Sequence, residues 1–198
     1  LETGGIIHYK TPVLKVVTAD KSVTSIIVRN NVIHESGYLI SAGDWHHTIF
    51  ELLAGKFATP LQNDLKNLKK LQPFFSSIQA SFGVKKDLIG LSHFTRFPLS
   101  EPLISPDGTV YDRFEIHNYS YDHTMAPPGK VCLVTNFYTS KADYWIEHRR
   151  KNRADYRALK AEFLGKCAAI VCEKLGLTPE DIEVMDLSTP ATFHRYTG

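Results

Sequence analysis

The stretch Ser76-Ser-Ile-Gln-Ala-Ser-Phe-Gly-Val84 alternates without a slip: Ile78, Ala80, Phe82 and Val84 fall on one side, Ser77, Gln79, Ser81 and Gly83 on the other. Successive side chains of a strand point to opposite faces, so this pattern predicts a strand with one face on a core. Strand-like runs at 88–97, 110–121 and 130–138 follow it. Between them, Lys85-Lys-Asp87, Ser105-Pro-Asp-Gly108 and Ala126-Pro-Pro-Gly129 carry residues suited to turns. Antiparallel pairing is the simplest arrangement for such runs, giving a sheet of about four strands.

Downstream, the period lengthens. Ser140 and Asp143 form a cap pair for a long helix over 141–175, in which Trp145, Tyr156, Leu159, Phe163, Cys167, Ile170, Val171 and Leu175 recur at three or four residues. Gly176 with Leu177 closes it, and Thr178-Pro-Glu-Asp181 opens a short turn before a strand at 182–187. After that strand, Thr189-Pro190 leads into an aromatic and basic turn.

Upstream, apolar runs at 6–9, 13–18, 23–28 and 32–34 read as strands, with Asn30-Asn31 as a tight hairpin because Asn tolerates positive φ. A short apolar run at 38–42 reads as a strand buried on both faces. Asp44 then caps a helix that Gly55 closes. Thr59-Pro60-Leu61-Gln62 has the capping-box pattern and opens a second helix with Leu61, Leu65, Leu68 and Leu71 on one face, ending at Pro73. The fold class is therefore α+β: a small β-meander, then a mostly antiparallel sheet covered by helices.

Composition narrows the functional classes. A chain of 198 residues with 43% apolar and 22% charged residues buries a substantial core, and a formal net charge of +2 gives no field that would mark nucleic acid as a partner. No apolar run approaches the roughly 20 residues that span a bilayer. Cys132, Cys167 and Cys172 lack CxxC spacing and lie in apolar patterns, which predicts reduced thiols in a cytoplasmic-type compartment. The opening Leu1-Glu-Thr-Gly-Gly5, with no initiator methionine, and the stop at Gly198 read as the edges of an excised segment.

Two stretches together resemble the FAD-dependent phytoene desaturases, carotenoid isomerases and retinol saturases, relatives of the amine oxidases. Gly4-Gly-Ile-Ile-His-Tyr-Lys-Thr-Pro-Val13, continued by Val23-Thr-Ser-Ile-Ile-Val28, Tyr38-Leu-Ile-Ser-Ala42 and the helix at Asp44, looks like that family's Gly-Gly strand, meander and return strand. Thr189-Pro-Ala-Thr-Phe-His-Arg-Tyr-Thr-Gly198 is similar to the segment upstream of its C-terminal flavin-binding glycines, and Ala126-Pro-Pro-Gly-Lys-Val-Cys-Leu133 resembles its Ala-Pro-x-Gly strand opening. The chain departs from the family at Asn30-Asn31, where relatives carry a Gly turn, at Ser36-Gly37, where Ala-Asp is common, and at His194, where an acid is common. No GxGxxG follows a strand, and the C-terminal glycine-rich segment is absent.

The resemblance implies an internal piece of a flavoprotein. Residues 1–43 would be a severed part of the FAD-binding domain, and residues 44–198 the substrate-binding domain with the helix at 141–175 and the strand at 182–187. FAD would belong to the intact parent, with the missing FAD-domain segments as partners, and the isolated fragment would be inactive. The implied function is substrate binding in an oxidoreductase of desaturase, saturase or isomerase type, acting on a polyene, retinoid or other lipophilic molecule. Val13 is the one cofactor position carried over, through its main-chain amide and carbonyl at the adenine end of FAD.

No catalytic side chain is assigned. The aromatics Phe74, Phe75, Phe82, Phe94, Phe97, Phe114, Tyr119 and Tyr121 surround His93, Arg96 and His117 in sequence; His93, Arg96 and Tyr119 are candidates to fix one end of an apolar substrate. Core packing accounts equally well for the aromatics. His46-His47 and Asp122-His123 lack the spacing of metal ligands, and Ser41 lacks a nucleophile elbow. The basic run Glu147-His-Arg-Arg-Lys-Asn-Arg153 reads as a solvated helix face, or as a peripheral contact with an anionic membrane. A different class remains open: a non-enzymatic domain that binds an apolar ligand or a protein through its aromatic sheet face.

Overall fold

The computed structural model describes residues 4–65 and 75–197. The chain divides into two compact units, residues 1–72 with 197–198, and residues 73–196. Division by compactness falls at 72/73, whereas the expected 43/44 boundary divides the chain by the parent domain each part would serve.

In the first unit, β1 (Val13–Ala19), β2 (Ser22–Val28) and β3 (Val32–Glu35) form an antiparallel meander in that order. Asp20, Asn30 and Asn31 have positive φ, the backbone state that tight turns need and that Asn tolerates. Among the described residues, the buried apolar side chains here are few: Val16, Val28 and Phe50. Two expected strands are not formed. Residues 6–9 and 38–42 are irregular, with Tyr38 92% and Ile40 94% exposed. A strand is stable only when a neighbour takes its backbone hydrogen bonds, and among the described residues neither segment has such a neighbour.

The expected helix after Asp44 is a short, wide turn over His47–Leu52, capped by Asp44 Oδ1, which accepts from His47 N at 2.7 Å. Gly55 follows at φ 71°. The capping box at Thr59 forms as expected: Thr59 N donates to Gln62 Oε1 at 2.8 Å, and Gln62 N donates to Thr59 Oγ1 at 3.3 Å. It opens α1 (Pro60–Leu65). Leu68, Leu71 and Pro73 of the expected apolar face lie outside the described residues.

In the second unit, β4 (Ser76–Val84), β5 (Phe94–Ile104), β6 (Val110–Asn118), β7 (Val131–Thr139) and β8 (Ile182–Ser188) form one antiparallel sheet in the order β5-β6-β7-β4-β8. The alternation that opens the sequence reading holds residue by residue: Ile78, Ala80, Phe82 and Val84 are buried and the intervening side chains are partly exposed. The inner face continues through Phe114, Ile116, Leu133, Phe137 and Leu187. Each fully buried Phe of this face contributes roughly 1.5–3 kcal/mol of transfer free energy. Gly83 sits where a Cβ would meet Val184 Cγ1 at 2.6 Å, so its lack of a side chain lets β8 pair closely with β4.

The long helix expected over 141–175 is two helices, α2 (Ala142–Lys151) and α3 (Arg153–Leu175). Asn152 breaks it with an extended backbone (φ −145°, ψ 97°), and its side chain accepts from Ala154 N and Asp155 N, both at 3.1 Å. Asn prefers this capping role to a helix interior because its carboxamide competes for nearby amides. The start of α2 has no side-chain cap from Ser140 or Asp143; Thr139 Oγ1 accepts from Lys141 N at 3.0 Å instead. From α3, Tyr156, Phe163, Leu164, Cys167 and Val171 are buried in the core. Gly176 ends α3 at φ 60°, with Leu177 N donating to Cys172 O, as expected. The expected turn after Thr189 is a helix, α4 (Pro190–Thr197), because Thr189 and Pro190 supply a start that the aromatic-basic composition hides.

Candidate functional site

The outer face of the large sheet bears the candidate side chains. At the paired ends of β5 and β6, Phe94 lies opposite His117 and Arg96 opposite Glu115, while their neighbours Thr95, Phe97, Phe114 and Ile116 turn to the other side. Arg96 and Glu115 form an ion pair at 2.6 Å, and the Arg96 guanidinium lies 5.7 Å from the Phe94 ring centre. Ring contacts then run from Phe94 to His117 (4.9 Å), from His117 to His93 (5.9 Å), and from His93 to Tyr119 (5.7 Å) and Tyr121 (4.8 Å). The structure thus joins His93, Arg96 and Tyr119 through Phe94 and His117.

Asn118 organises this end of the sheet. It occupies the inward register after Phe114 and Ile116 and is 1% exposed. Its Nδ2 donates to Leu88 O and Leu91 O at 3.0 Å each, and its Oδ1 accepts from Ser120 N at 3.1 Å. A buried carboxamide needs such partners, and here they tie two loops to one residue. His93 Nδ1 donates to the Asn118 carbonyl at 2.9 Å. A carbonyl only accepts, so neutral His93 carries its hydrogen on Nδ1 and presents Nε2 as an acceptor. A polar residue at an inward β position was the sequence signal for Asn118.

Two grooves border the outer face. One, of about 360 Å³, lies beside Arg96, Glu115, Tyr111 and Tyr138. Burial pushes the Tyr111 phenol up to about 12, so it stays a neutral donor, and its OH donates to Tyr138 O at 3.1 Å. The other, of about 370 Å³, is lined by Met125, Pro127, Cys132, Val184 and Met185 among others, and is mostly apolar. Burial raises the Cys132 thiol, which keeps it protonated and unreactive. Of the aromatics expected near the site, Phe82 and Phe114 belong to the core and Phe97 is partly buried against it; Phe75, Phe94 and Tyr121 are exposed and Tyr119 is half-buried. Phe74 lies outside the described residues.

A second buried polar centre went unseen in the sequence. Asp107 Oδ1 accepts from Ser105 Oγ (2.6 Å) and Thr109 N (2.9 Å), and Oδ2 accepts from Thr139 Oγ1 (2.8 Å) and Trp145 Nε1 (2.8 Å). Burial opposes ionisation, but the hydrogen bonds from Ser105, Thr109 and Thr139 outweigh it and hold the carboxyl below its ordinary range. The turn carrying Asp107 thereby fixes the start of α2. Asp107 is 7% exposed, and both of its carboxylate oxygens are taken up by these bonds.

Val13 begins β1, an edge strand. It lies opposite Val28, and Arg29 N donates to Pro12 O at 3.2 Å across the same pair. That bond makes Val13 and Val28 a non-hydrogen-bonded pair, so the amide and carbonyl of Val13 point away from β2, along the free edge. Among the described residues, no group of three or more His, Cys, Asp or Glu side chains is placed to hold a metal ion, and no helix is long and apolar enough to cross a membrane.

No protein-family model matches the chain, and no curated protein is similar to it in sequence. Its likeness is to solved structures. An oxidoreductase from Methanosarcina mazei matches over 95% of this chain with a TM-score of 0.50 and 17% sequence identity. The chain has the fold of part of that oxidoreductase, spanning 39% of its length. A reduced UDP-galactopyranose mutase matches over 87% of this chain and 34% of its own, with a TM-score of 0.46 and 17% identity.

Proposed function

We propose that this chain is the substrate-binding region of an FAD-dependent oxidoreductase that acts on a lipophilic molecule, a polyene or retinoid being the class that fits best. The observation that carries the proposal is the fold likeness to the Methanosarcina mazei oxidoreductase over nearly the whole chain. Residues 1–43 belong, on this reading, to the FAD-binding domain and residues 44–198 to the substrate domain, with the remaining FAD-domain segments as partners.

The free edge at Val13 supports a main-chain contact to the adenine of FAD. An outward amide beside an outward carbonyl offers one donor and one acceptor, the pair that a purine edge can meet. Many apolar side chains of the first unit are exposed, Ile6, Ile7, Tyr38 and Ile40 among them, and such surface is consistent with a covering domain. When bound, FAD supplies the redox chemistry, and the protein supplies orientation and exclusion of water.

On the outer sheet face, Phe94, Tyr119 and Tyr121 offer a platform for an apolar chain. Arg96, ion-paired with Glu115, stands beside Phe94 as a cation for a polar end group such as a carboxylate, and His93 Nε2, beside Tyr119 and Tyr121, offers an acceptor for a hydroxyl. The protein is cytoplasmic on this reading and peripheral to the membrane that holds its substrate.

The test is anaerobic mixing of the FAD-loaded parent protein with a polyene alcohol. The flavin should change oxidation state with the polyene, and Arg96→Ala should raise KM with a smaller effect on kcat. A flavin that responds only to polar substrates would remove the lipophilic assignment.

A further inference from the structure

A cavity of about 640 Å³ lies in the second unit, away from the aromatic face, where α3, β8 and α4 converge. Its size is typical of small-molecule sites, roughly 300–1,000 Å³. Arg149, Arg153, Arg157, Lys160 and Arg195 line it, against the single carboxylate of Asp186. A chain with a net charge of only +2 therefore gathers five cations into one wall.

The charges are not neutralised locally. Lys160 Nζ lies 4.0 Å from Asp186 Oδ1, at the limit of an ion pair, and Asp186 is itself exposed. Among the described residues, Arg149, Arg153, Arg157 and Arg195 have no carboxylate within 4.0 Å. Other parts of the same basic run are paired: Lys151 with Glu147 at 2.7 Å, and His148 with Asp155 at 2.6 Å. The run at 147–153 thus holds paired charges, the cavity-lining Arg149 and Arg153, and Arg150, which is exposed outside the cavity.

Placement and chemistry agree. Arg153, Arg157 and Lys160 stand at i, i+4 and i+7 of α3 and share one helix face, while Arg195 comes from α4. Ser188 and Thr192 add hydroxyls to the lining. Guanidinium groups present paired donors that match phosphate oxygens, and convergent arginines favour a ligand with several negative charges.

We infer that this cavity is a binding site for a multiply charged phosphate, either a soluble diphosphate ester or a phosphomonoester lipid headgroup. The site stands apart from the flavin reading and is testable on the 198-residue chain alone.

The experiment is calorimetric titration of the chain with inorganic pyrophosphate, alongside sedimentation with phosphatidylcholine vesicles carrying phosphatidic acid. Saturable pyrophosphate binding that weakens as salt rises is expected. Arg153→Gln with Arg157→Gln should raise Kd by about tenfold or more, since charge-assisted bonds are lost. Arg150→Gln removes the same charge from an exposed position outside the cavity and should change Kd by less than about twofold. Should the double variant fail to fold, Arg195→Gln from α4 serves in its place. Binding to pyrophosphate alone identifies a soluble ligand; binding to vesicles alone, with the same dependence on Arg153 and Arg157, identifies a headgroup. Binding to neither, or equal losses in the Arg150 and cavity variants, overturns the site.

Discussion

At the scale of single residues, the strongest constraint is Asp107, a carboxylate 7% exposed that satisfies four donors from three segments of chain. Asp107→Asn replaces one acceptor oxygen by an amide that faces two donors, either Ser105 and Thr109 or Thr139 and Trp145. Bonds to a charged group are each worth roughly 1.5–3 kcal/mol, so the variant should lose about 2–4 kcal/mol in urea unfolding. The sign of the pH effect follows from the lowered carboxyl. Its stabilisation is complete above the ordinary value of 3.8 and is lost as pH falls below it. The variant's stability should therefore fall less steeply in that acid range than the wild type's, and parallel slopes would argue that Asp107 is not the charged keystone of this turn. Asp107 was legible in sequence only as a turn residue, because its partners Thr139 and Trp145 lie 32 and 38 positions away. Asn118 differs: its place in the alternation after Phe114 and Ile116 marks it as inward, and a polar side chain there implies partners.

At the scale of elements, legibility followed the strength of the local pattern. β4 could be read because every other side chain is apolar, and the meander because Asn30 and Asn31 suit a turn. β5 was misread: the sequence places it at 88–97, stopping before Pro98, whereas it spans Phe94–Ile104 and carries both Pro98 and Pro102. An edge strand tolerates proline, and β5 is an edge with an irregular register between Pro98 and Leu103. The break at Asn152 was hidden by flanking basic residues that suit a helix on either side. The edge of β1 yields a prediction of its own. Val13→Pro removes an amide that points away from the ladder, at the first residue of an edge strand, where proline is accepted. The melting temperature should hold, while FAD affinity in the parent protein should fall about three- to tenfold, the worth of one hydrogen bond. A loss of fold with Val13→Pro, or unchanged FAD affinity, would remove Val13 from the cofactor contact.

At the scale of the whole molecule, the two units have different characters. The second has a continuous core from Ile78 to Ala191 and two buried polar centres that lock its loops. Among the described residues, the first has a three-stranded sheet, few buried side chains and much exposed apolar surface. The candidate site was legible in part: His93, Arg96 and Tyr119 were named from their aromatic surroundings, and the structure links them, but the phosphate-sized basic cavity depends on α3 and α4 meeting, which no local pattern reveals. The central claim, a flavoprotein substrate region, is tested most directly by the absorbance spectrum of the purified parent protein, extended through the coding sequence on both sides of this chain. The account predicts a yellow protein that releases about one FAD per chain on denaturation, with glycine-rich phosphate-binding turns in the added segments. A colourless parent that takes up no added FAD would contradict it.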